Sequence, residues 1–230
     1  SSTACTGDTV TYYGDFCHNY HTALFKNSTT NTTAVCFNVT QNSGQFIVPI
    51  GVGLADFFIQ DKPYSTSATS AQYSDTLEFL FPVPDLDSLI SSTACTGDTV
   101  TYYGSFCHNY HTAHFKNATT NTSAICFNVT QNSGQFVVPI GVGLADFFIQ
   151  DKPYYNTTTS AQYSDTLQFL FSVPDLDSLI SSTACTGDTV TYFGSFCHNY
   201  HLAHFKNATT NTSAVCFNVT QNSGQFIVPI

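Results

Sequence analysis

Short segments rich in β-branched and aromatic residues alternate with polar segments along the chain. In the first 90 residues the apolar segments cover residues 9 to 13, 33 to 41, 45 to 50, 54 to 60 and 76 to 83, and Gly, Pro, Asn and Ser separate them. Runs of this length and composition predict β-strands. Residues 40 to 45 place Asn and Gly where a hairpin needs positive φ, so the segments that flank them are expected to pair antiparallel.

The alternation within these segments predicts which side chains are buried. Successive side chains point to opposite faces of a strand, and a glycan on Asn38 would have to point outward. For the second segment we therefore expect an inner face of Val35, Phe37 and Val39 and an outer face of Ala34, Cys36 and Asn38. For the last segment we expect an inner face of Leu77, Phe79, Phe81 and Val83, with Glu78 and Pro82 outside.

The pattern repeats with a period of 90 residues. Residues 1–90 and 91–180 differ at twelve positions, and residues 181–230 begin a third copy. Roughly five to seven strands in 90 residues suggest a β-sandwich in each repeat. The structural boundary is expected either at residues 84 to 92 or at about residues 50, 140 and 230. In the second case neighbouring repeats would share strands.

Composition indicates an extracellular protein. The chain has nine Cys, no Met, no Trp and only 9% charged residues, which is typical of a disulfide-bonded protein of the eukaryotic secretory pathway. A formal net charge of -10 with no Arg argues against nucleic acid as a partner. No apolar run approaches the roughly 18 to 20 residues of a membrane helix, so we expect no membrane span in this segment.

Each repeat contains three cysteines. Because Cys36 is expected to face outward, we predict that it pairs with Cys17 in an overlying segment, and the copies give the same pairing. The disulfide candidates are Cys17, Cys36, Cys107, Cys126, Cys197 and Cys216. The third cysteines are Cys5, Cys95 and Cys185, each expected either as a buried thiol or as a lateral link to a second chain.

Ten Asn-x-Ser/Thr sequons predict N-linked glycans, which would cover one side of each repeat in a stripe. They are Asn27, Asn31, Asn38, Asn117, Asn121, Asn128, Asn156, Asn207, Asn211 and Asn218. Apart from these glycans we expect no cofactor.

The metal and catalytic motifs are weak. His108, His111 and His114 are three residues apart, but such residues point to opposite faces of a strand, and Leu24 replaces the third His in the first repeat. Asp85 and Asp87 near a repeat junction could bind calcium only if Asp98 or Asp151 contributed further oxygens. No Gly-x-Ser-x-Gly, His-Glu-x-x-His or phosphate-binding glycine loop is present. We therefore expect no metal site and no enzyme activity.

The 90-residue period, the sequon clusters and the cysteine content resemble those of tandem-repeat cell-surface and extracellular-fibre glycoproteins with immunoglobulin-like units. The resemblance implies an all-β fold, with antiparallel β-sandwich repeats of about 90 residues in single file. It implies a structural subunit of a glycosylated filament or stalk, whose partners are neighbouring repeats and other copies of the chain. The alternative is a multivalent adhesin or carbohydrate-binding repeat protein.

Overall fold

The structure is a computed structural model that describes residues 3–64, 70–153 and 161–230. In these ranges the chain forms 21 β-strands and no helix, which confirms the predicted all-β class. The first unit contains β1 (Thr9–Tyr13), β2 (Tyr20–Lys26), β3 (Asn31–Val35), β4 (Ser43–Ile47), β5 (Gly53–Lys62), β6 (Gln72–Tyr73) and β7 (Leu77–Phe81).

The second unit contains β8 (Asp85–Leu89), β9 (Thr93–Ala94), β10 (Thr99–Ser105), β11 (Tyr110–Lys116), β12 (Asn121–Ile125), β13 (Ser133–Val137), β14 (Gly143–Lys152), β15 (Gln162–Tyr163) and β16 (Leu167–Phe171). The third unit contains β17 (Asp175–Leu179), β18 (Thr189–Ser195), β19 (Leu202–Lys206), β20 (Asn211–Val215) and β21 (Ser223–Ile227).

Each unit is built from two sheets. In the second unit one sheet has the order β13-β10-β8, and the other has the order β12-β11-β14-β16-β9 with β15 also paired to β14. These pairs are antiparallel except for β16 and β9, which are parallel. The first unit has β1-β4 and β3-β2-β5-β6, with β7 on β5, and the third has β17-β18-β21 and β19-β20. The units follow one another in tandem, as the repeats predict.

The core between the sheets is aromatic. In the second unit Phe115 lies at its centre, with ring centroids 5.2 to 5.3 Å from those of Phe136, Phe147, Phe169 and Phe171. Tilted and edge-to-face contacts of this kind add roughly 0.5 to 1.5 kcal/mol per pair beyond the burial of apolar area. The high Phe content therefore supplies the core of a small unit.

The hairpin predicted at residues 40 to 45 is limited to one antiparallel bridge, in which Phe37 and Gln45 exchange both backbone hydrogen bonds. β3 pairs with β2, whereas β4 pairs with β1 in the other sheet. The positive φ lies at Asn38 (49°), because Asn tolerates the left-handed conformation and turns the chain from one sheet to the other.

The same turn reverses the predicted faces of β3. Val35 is 81% exposed, and it is Ala34 and Cys36 that pack against the core. The turn at Asn38 interrupts the alternation, so the direction of Asn38 does not determine that of Cys36. In β7 Phe79 and Phe81 are buried as predicted, whereas Leu77 is exposed, as is Val83 after the end of the strand.

Strand pairing also argues against a boundary near residue 50. β5 pairs along its length with β2, from Tyr20 opposite Lys62 to Lys26 opposite Asp56, so the segments before and after residue 50 belong to one unit. In the described ranges no strand pair joins two units. The pairing partner changes instead between β7 and β8, where β8 joins β10 of the following repeat.

Candidate functional site

Disulfides join each unit to the next. Cys5 bonds to Cys107 and Cys95 bonds to Cys197, each across 102 residues and with a Cα–Cα distance of 5.7 Å. Each bond links the first cysteine of one repeat, just before its first long strand, to the second cysteine of the next repeat. Because 102 residues exceed the period of 90, these are bonds between repeats.

The predicted pairing of Cys17 with Cys36 is therefore wrong, together with its copies Cys107 with Cys126 and Cys197 with Cys216. Cys36 packs against the core of its own unit, so it cannot form a disulfide with a cysteine in a segment that lies over the outer face. In the described part of the chain the free cysteines are Cys17, Cys36, Cys126, Cys185 and Cys216. Cys5 and Cys95, which were expected to stay out of the disulfides within the chain, are thus bonded, and the cysteine left over is the core-facing one: Cys36, Cys126 or Cys216.

A buried carboxylate positions the second cysteine. Asp151 on β14 accepts hydrogen bonds from the backbone N–H of Cys107 at 2.8 Å and of His108 at 3.1 Å. Its side chain is fully buried, and its Oδ1 lies 3.4 Å from Nε2 of His111. His111 Nδ1 lies 2.6 Å from the hydroxyl oxygen of Tyr102. The loop that carries Cys107 is therefore tied to both sheets of its unit.

The same contacts keep Asp151 ionised. Burial favours the neutral acid, but the contacts with His108 and His111 and the Cys107 N–H outweigh it and lower the pKa of Asp151 to about 2. In the first repeat Asp61 accepts the equivalent bonds from the backbone of Cys17 and His18. The sequence analysis considered Asp151 only as a possible calcium ligand and missed this role, although an acidic side chain at the end of the apolar run Phe-Phe-Ile-Gln-Asp marks the position.

Three further contacts lie at the junctions. Gly7 packs so closely on Pro153 of the next repeat that a Cβ at Gly7 would come within 2.8 Å of the proline ring. Gln162 Nε2 donates to the carbonyl oxygen of Gly51 at 3.2 Å. Between the second and third units, His198 Nε2 lies 3.7 Å from Asp98 Oδ1. The first and second units therefore touch at two of these points besides the disulfide, and the second and third units at one.

The core-facing thiol of the second repeat is shielded from reaction. Cys126 packs against the core of the second unit, and burial raises the pKa of its thiol to about 11. Because the thiolate is the reactive form, such a thiol is almost inert at neutral pH.

The residues considered for metal binding have other partners. His108 and His111 lie at Asp151, whereas His114 stacks on Phe148 with ring centroids 5.2 Å apart. Asp85 and Asp87 lie on β8, and neither Asp98 nor Asp151 is placed with them as a set. In the described residues no group of three or more His, Cys, Asp or Glu side chains has a geometry that could hold a metal ion.

Two sequons per repeat lie beside the open edges of the sheets. Asn31 begins the edge strand β3, and Asn38 follows it in the turn that leads to β4, the edge strand of the other sheet. Both side chains are exposed, as are those of their copies Asn121, Asn128, Asn211 and Asn218. Asn38 Nδ2 donates to Gln45 Oε1 at 2.6 Å, which leaves its second hydrogen available for a sugar.

The first sequon of each repeat is different. Asn117 Nδ2 donates to the carbonyl oxygens of Val142 at 3.2 Å and Leu144 at 2.6 Å, and its Oδ1 accepts from the N–H of Thr119 and Thr120. Asn27 makes the equivalent bonds. A glycosidic bond would replace one of these hydrogens. Asn207 keeps the Oδ1 contacts, and Asn156 lies outside the described residues.

An apolar surface lies next to the sequons. In the second unit Tyr110, Ile125 and Phe127 are exposed around a hollow of about 450 Å³ that also includes Asn128 and Lys152. We call Tyr110, Ile125 and Phe127 the apolar shelf. Equivalent exposed side chains occur in the other repeats, so the shelf recurs with the period of the chain.

No family model and no curated protein sequence matches the chain. Solved structures that are similar to it include the plexin A4 extracellular region, at 9% identity and a TM-score of 0.32, covering 99% of this chain and 30% of that one. Another is chicken CNTN1 FN1-FN3, at 10% identity and a TM-score of 0.27, covering 97% and 85%.

A third is Bacteroides ovatus SGBP-B in complex with a mixed-linkage heptasaccharide, at 12% identity and a TM-score of 0.29, covering 99% and 66%. The chain spans less than two thirds of the plexin and Bacteroides ovatus structures. At these TM-scores none of the three is evidence for what this chain does.

The disulfides bear on localisation. Disulfides persist in oxidising environments, so the two bonds between repeats indicate an extracellular or cell-surface protein. Within the described ranges, the structure has no helix with the length and apolar character that crossing a membrane requires.

Proposed function

We propose that the chain is a load-bearing structural segment of an extracellular, glycosylated filament or stalk. Near-identical units are connected through the backbone and a second time through disulfides, and glycans added in the eukaryotic secretory pathway cover the edges at Asn31 and Asn38. The partners are neighbouring repeats and other copies of the chain. The proposal assigns the chain no enzymatic reaction.

The observation that supports this function most is the recurrence of one junction. Cys5 with Cys107 and Cys95 with Cys197 have the same sequence separation and the same Cα–Cα distance. Under tension the disulfides bypass most of the backbone. Only residues 1–5, 95–107 and 197–230 lie on the shortest covalent path from one end to the other. Most of the first two units is therefore shielded from full extension, whereas β19, β20 and β21 of the third unit are not.

Single-molecule force spectroscopy tests this idea. At roughly 3.4 Å per residue, the roughly 52 residues on the covalent path should extend the oxidised chain to about 180 Å, and the reduced chain of 230 residues to about 780 Å. Cys95→Ser combined with Cys5→Ser should behave like the reduced chain. Cys126→Ser is the matched control and should behave like the oxidised wild type, because its thiol is free.

Equal extension of the oxidised and reduced chains would show that the disulfides bear no load and would contradict the proposal.

The apolar shelf favours a second candidate, a multivalent carbohydrate-binding or adhesive protein. Exposed aromatic and aliphatic side chains beside a hollow can stack on sugar rings, and weak sites that recur in tandem gain avidity. Ile125→Ser with Tyr110→Ser removes the second shelf without touching the core. Loss of binding to an immobilised oligosaccharide array in this variant would support adhesion, and the absence of any such binding by the wild type would exclude it.

A further inference from the structure

The outer face of the larger sheet carries a pair of aromatic side chains in each of the first two repeats. In β14 both neighbours of Phe148 are buried in the core, so Phe148 points outward. Tyr163 on β15 lies on the same face, because its cross-strand partner Gln150 is two residues along β14 from Phe148. We call Phe148 and Tyr163, with their copies Phe58 and Tyr73 in the first repeat, the aromatic platform.

The rings of the platform are in contact and oriented. The centroids of Phe148 and Tyr163 are 5.8 Å apart in an edge-to-face arrangement, and those of Phe58 and Tyr73 are 5.9 Å apart. Gln150 Nε2 donates to the hydroxyl oxygen of Tyr163 at 3.1 Å, so the hydroxyl hydrogen is available to a ligand. Tyr163 is 53% exposed and Tyr73 is 59% exposed. An exposed aromatic surface that recurs in this way indicates a binding site.

A sequon lies on the same face as the platform. The register runs across the sheet from Asn121 on β12 to Lys116 on β11 and Asp146 on β14. Residues directly opposite each other share a face, so Asn121 points outward with Phe148, which follows Asp146 by two positions. Two strand spacings across the sheet and two residues along it place Asn121 about 12 Å from Phe148. The first sugars of an N-linked glycan can cover this distance.

In the first repeat one hollow joins the sequon to the platform. A hollow of about 360 Å³ is lined by Asn31 as well as by Phe58 and Tyr73, with Lys26 between them. The Asn31 side chain is exposed, and within the described ranges it has no hydrogen-bond partner, whereas the amide of Asn27 donates to two carbonyl oxygens. A sugar on Asn31 can therefore enter the hollow without breaking a contact within the protein.

One of the differences between the repeats borders the platform. Leu24 in the first repeat is replaced by His114 in the second, whose ring lies nearly parallel to that of Phe148 with centroids 5.2 Å apart. Burial lowers the pKa of His114, so its ring is uncharged at neutral pH. The second repeat therefore offers a larger flat apolar surface than the first.

We propose that the aromatic platform binds the first sugars of the glycan of its own repeat, which is carried by Asn31 in the first repeat and by Asn121 in the second. The apolar faces of the sugars pack on the aromatic rings, and their hydroxyl groups bond to the Tyr hydroxyl and to the Lys at the edge of the platform. Tethering beside the platform gives this glycan a high effective concentration there, and the glycan sterically blocks a second chain. The proposal rests on the glycosylation included in the proposed function, and it does not depend on the filament.

The experiment follows enzymatic release of each glycan from the folded chain, secreted by eukaryotic cells that keep their glycans in the high-mannose form. An endoglycosidase cleaves within the chitobiose core, and mass spectrometry of the peptides resolves the sequons. Release from Asn121 should be roughly two- to tenfold slower in the wild type than in Tyr163→Ser, as expected for the loss of one aromatic contact. Tyr163→Phe keeps the ring and should retain most of this protection.

Asn128 is the control within the same chain, because it lies at a different hollow. Its glycan should be released at the same rate from the wild type and from Tyr163→Ser. Faster release from Asn121 alone supports the proposal. Unchanged release from Asn121 in Tyr163→Ser, or an equal acceleration at Asn128, overturns it and leaves the glycosylation itself intact.

Two further outcomes would also overturn the proposal. Slow release from Asn121 that disappears on dilution would mean that a second copy of the chain covers the platform. The absence of glycans from both Asn31 and Asn121 would remove the ligand, together with this part of the proposed function. The load-bearing role would still be decided separately by the force measurement on the oxidised and reduced chains.

Discussion

At the residue scale, one buried carboxylate holds the loop on which each junction depends. Asp151 accepts the N–H groups of Cys107 and His108, and its fully buried position leaves no water to replace them. A hydrogen bond to a charged group contributes roughly 1.5 to 3 kcal/mol, and a buried donor without an acceptor costs a similar amount. The disulfide geometry is thus set by a residue 44 positions away from its cysteine.

We expect Asp151→Asn to lower the free energy of unfolding by roughly 2 to 4 kcal/mol, because the amide offers an N–H to a backbone N–H. Denaturant unfolding without reductant measures the loss. Asp146→Asn on the exposed face of β14 is the matched control and should stay within about 0.5 kcal/mol.

The pH dependence has a definite sign. The pKa of Asp151 is lowered in the folded state to about 2 from a model-compound value of 3.8. Its contribution to stability is therefore present above pH of about 4 and is lost as the pH falls toward 2, by roughly 2 kcal/mol. A wild-type chain and an Asp151→Asn chain with the same acid dependence in this window would contradict the role given to the carboxylate.

Asn117 and Asn121 allow a matched comparison of two sequons. Asn117→Gln should destabilise the second unit by roughly 1 to 3 kcal/mol, because its amide bridges Val142 and Leu144 to the turn at Thr119 and Thr120. Asn121→Gln, at an exposed strand start, should be nearly neutral. Thermal unfolding of enzymatically deglycosylated variants makes the comparison, and equal losses would mean that the bonds of Asn117 contribute nothing specific.

At the scale of elements, β8 is the strand that completes its sheet, and Gly104 permits its close approach. Gly104→Ala should weaken the pairing of β8 with β10 and cost roughly 1 to 3 kcal/mol, because the new methyl group meets a backbone carbonyl. Hydrogen exchange of residues 85–89 measures the effect. Gly14→Ala should cost less, since only the ring of Phe16 lies nearby and a side chain can move.

The elements also show how far the sequence could be interpreted. β1, β5 and the buried Phe pair of β7 were predictable, because apolar runs of strand length are local features. β8 was not predictable from the sequence, because Asp-Leu-Asp-Ser-Leu is largely polar. It forms a strand only because it pairs with the edge strand β10. The reversed face of β3 depends on a single left-handed residue, Asn38, which strand periodicity does not reveal.

At the scale of the whole molecule, the junctions were hidden by the periodicity. A cysteine in one repeat has the same sequence surroundings as its copies, so local reasoning cannot distinguish a partner in the same repeat from one in the next. The number of cysteines indicated one unpaired thiol per repeat, but the face of β3 decided which one, and that face was predicted wrongly.

Thiol titration tests the connectivity. The folded chain without reductant should show two fast-reacting thiols, Cys17 and Cys185, which are exposed. Unfolding without reductant should raise the total to five, as Cys36, Cys126 and Cys216 become accessible. Four fast thiols, or fewer than five in total, would disagree with the observed pairing.

The length of the disulfide-closed loops has one more consequence. The loops from Cys5 to Cys107 and from Cys95 to Cys197 overlap across residues 95–107, so no position between residues 5 and 197 lies outside both. A single proteolytic nick anywhere in that range leaves both fragments covalently attached. A nicked chain should migrate as one species on a non-reducing gel and as two after reduction. Backbone damage in one repeat would therefore be tolerated without loss of continuity.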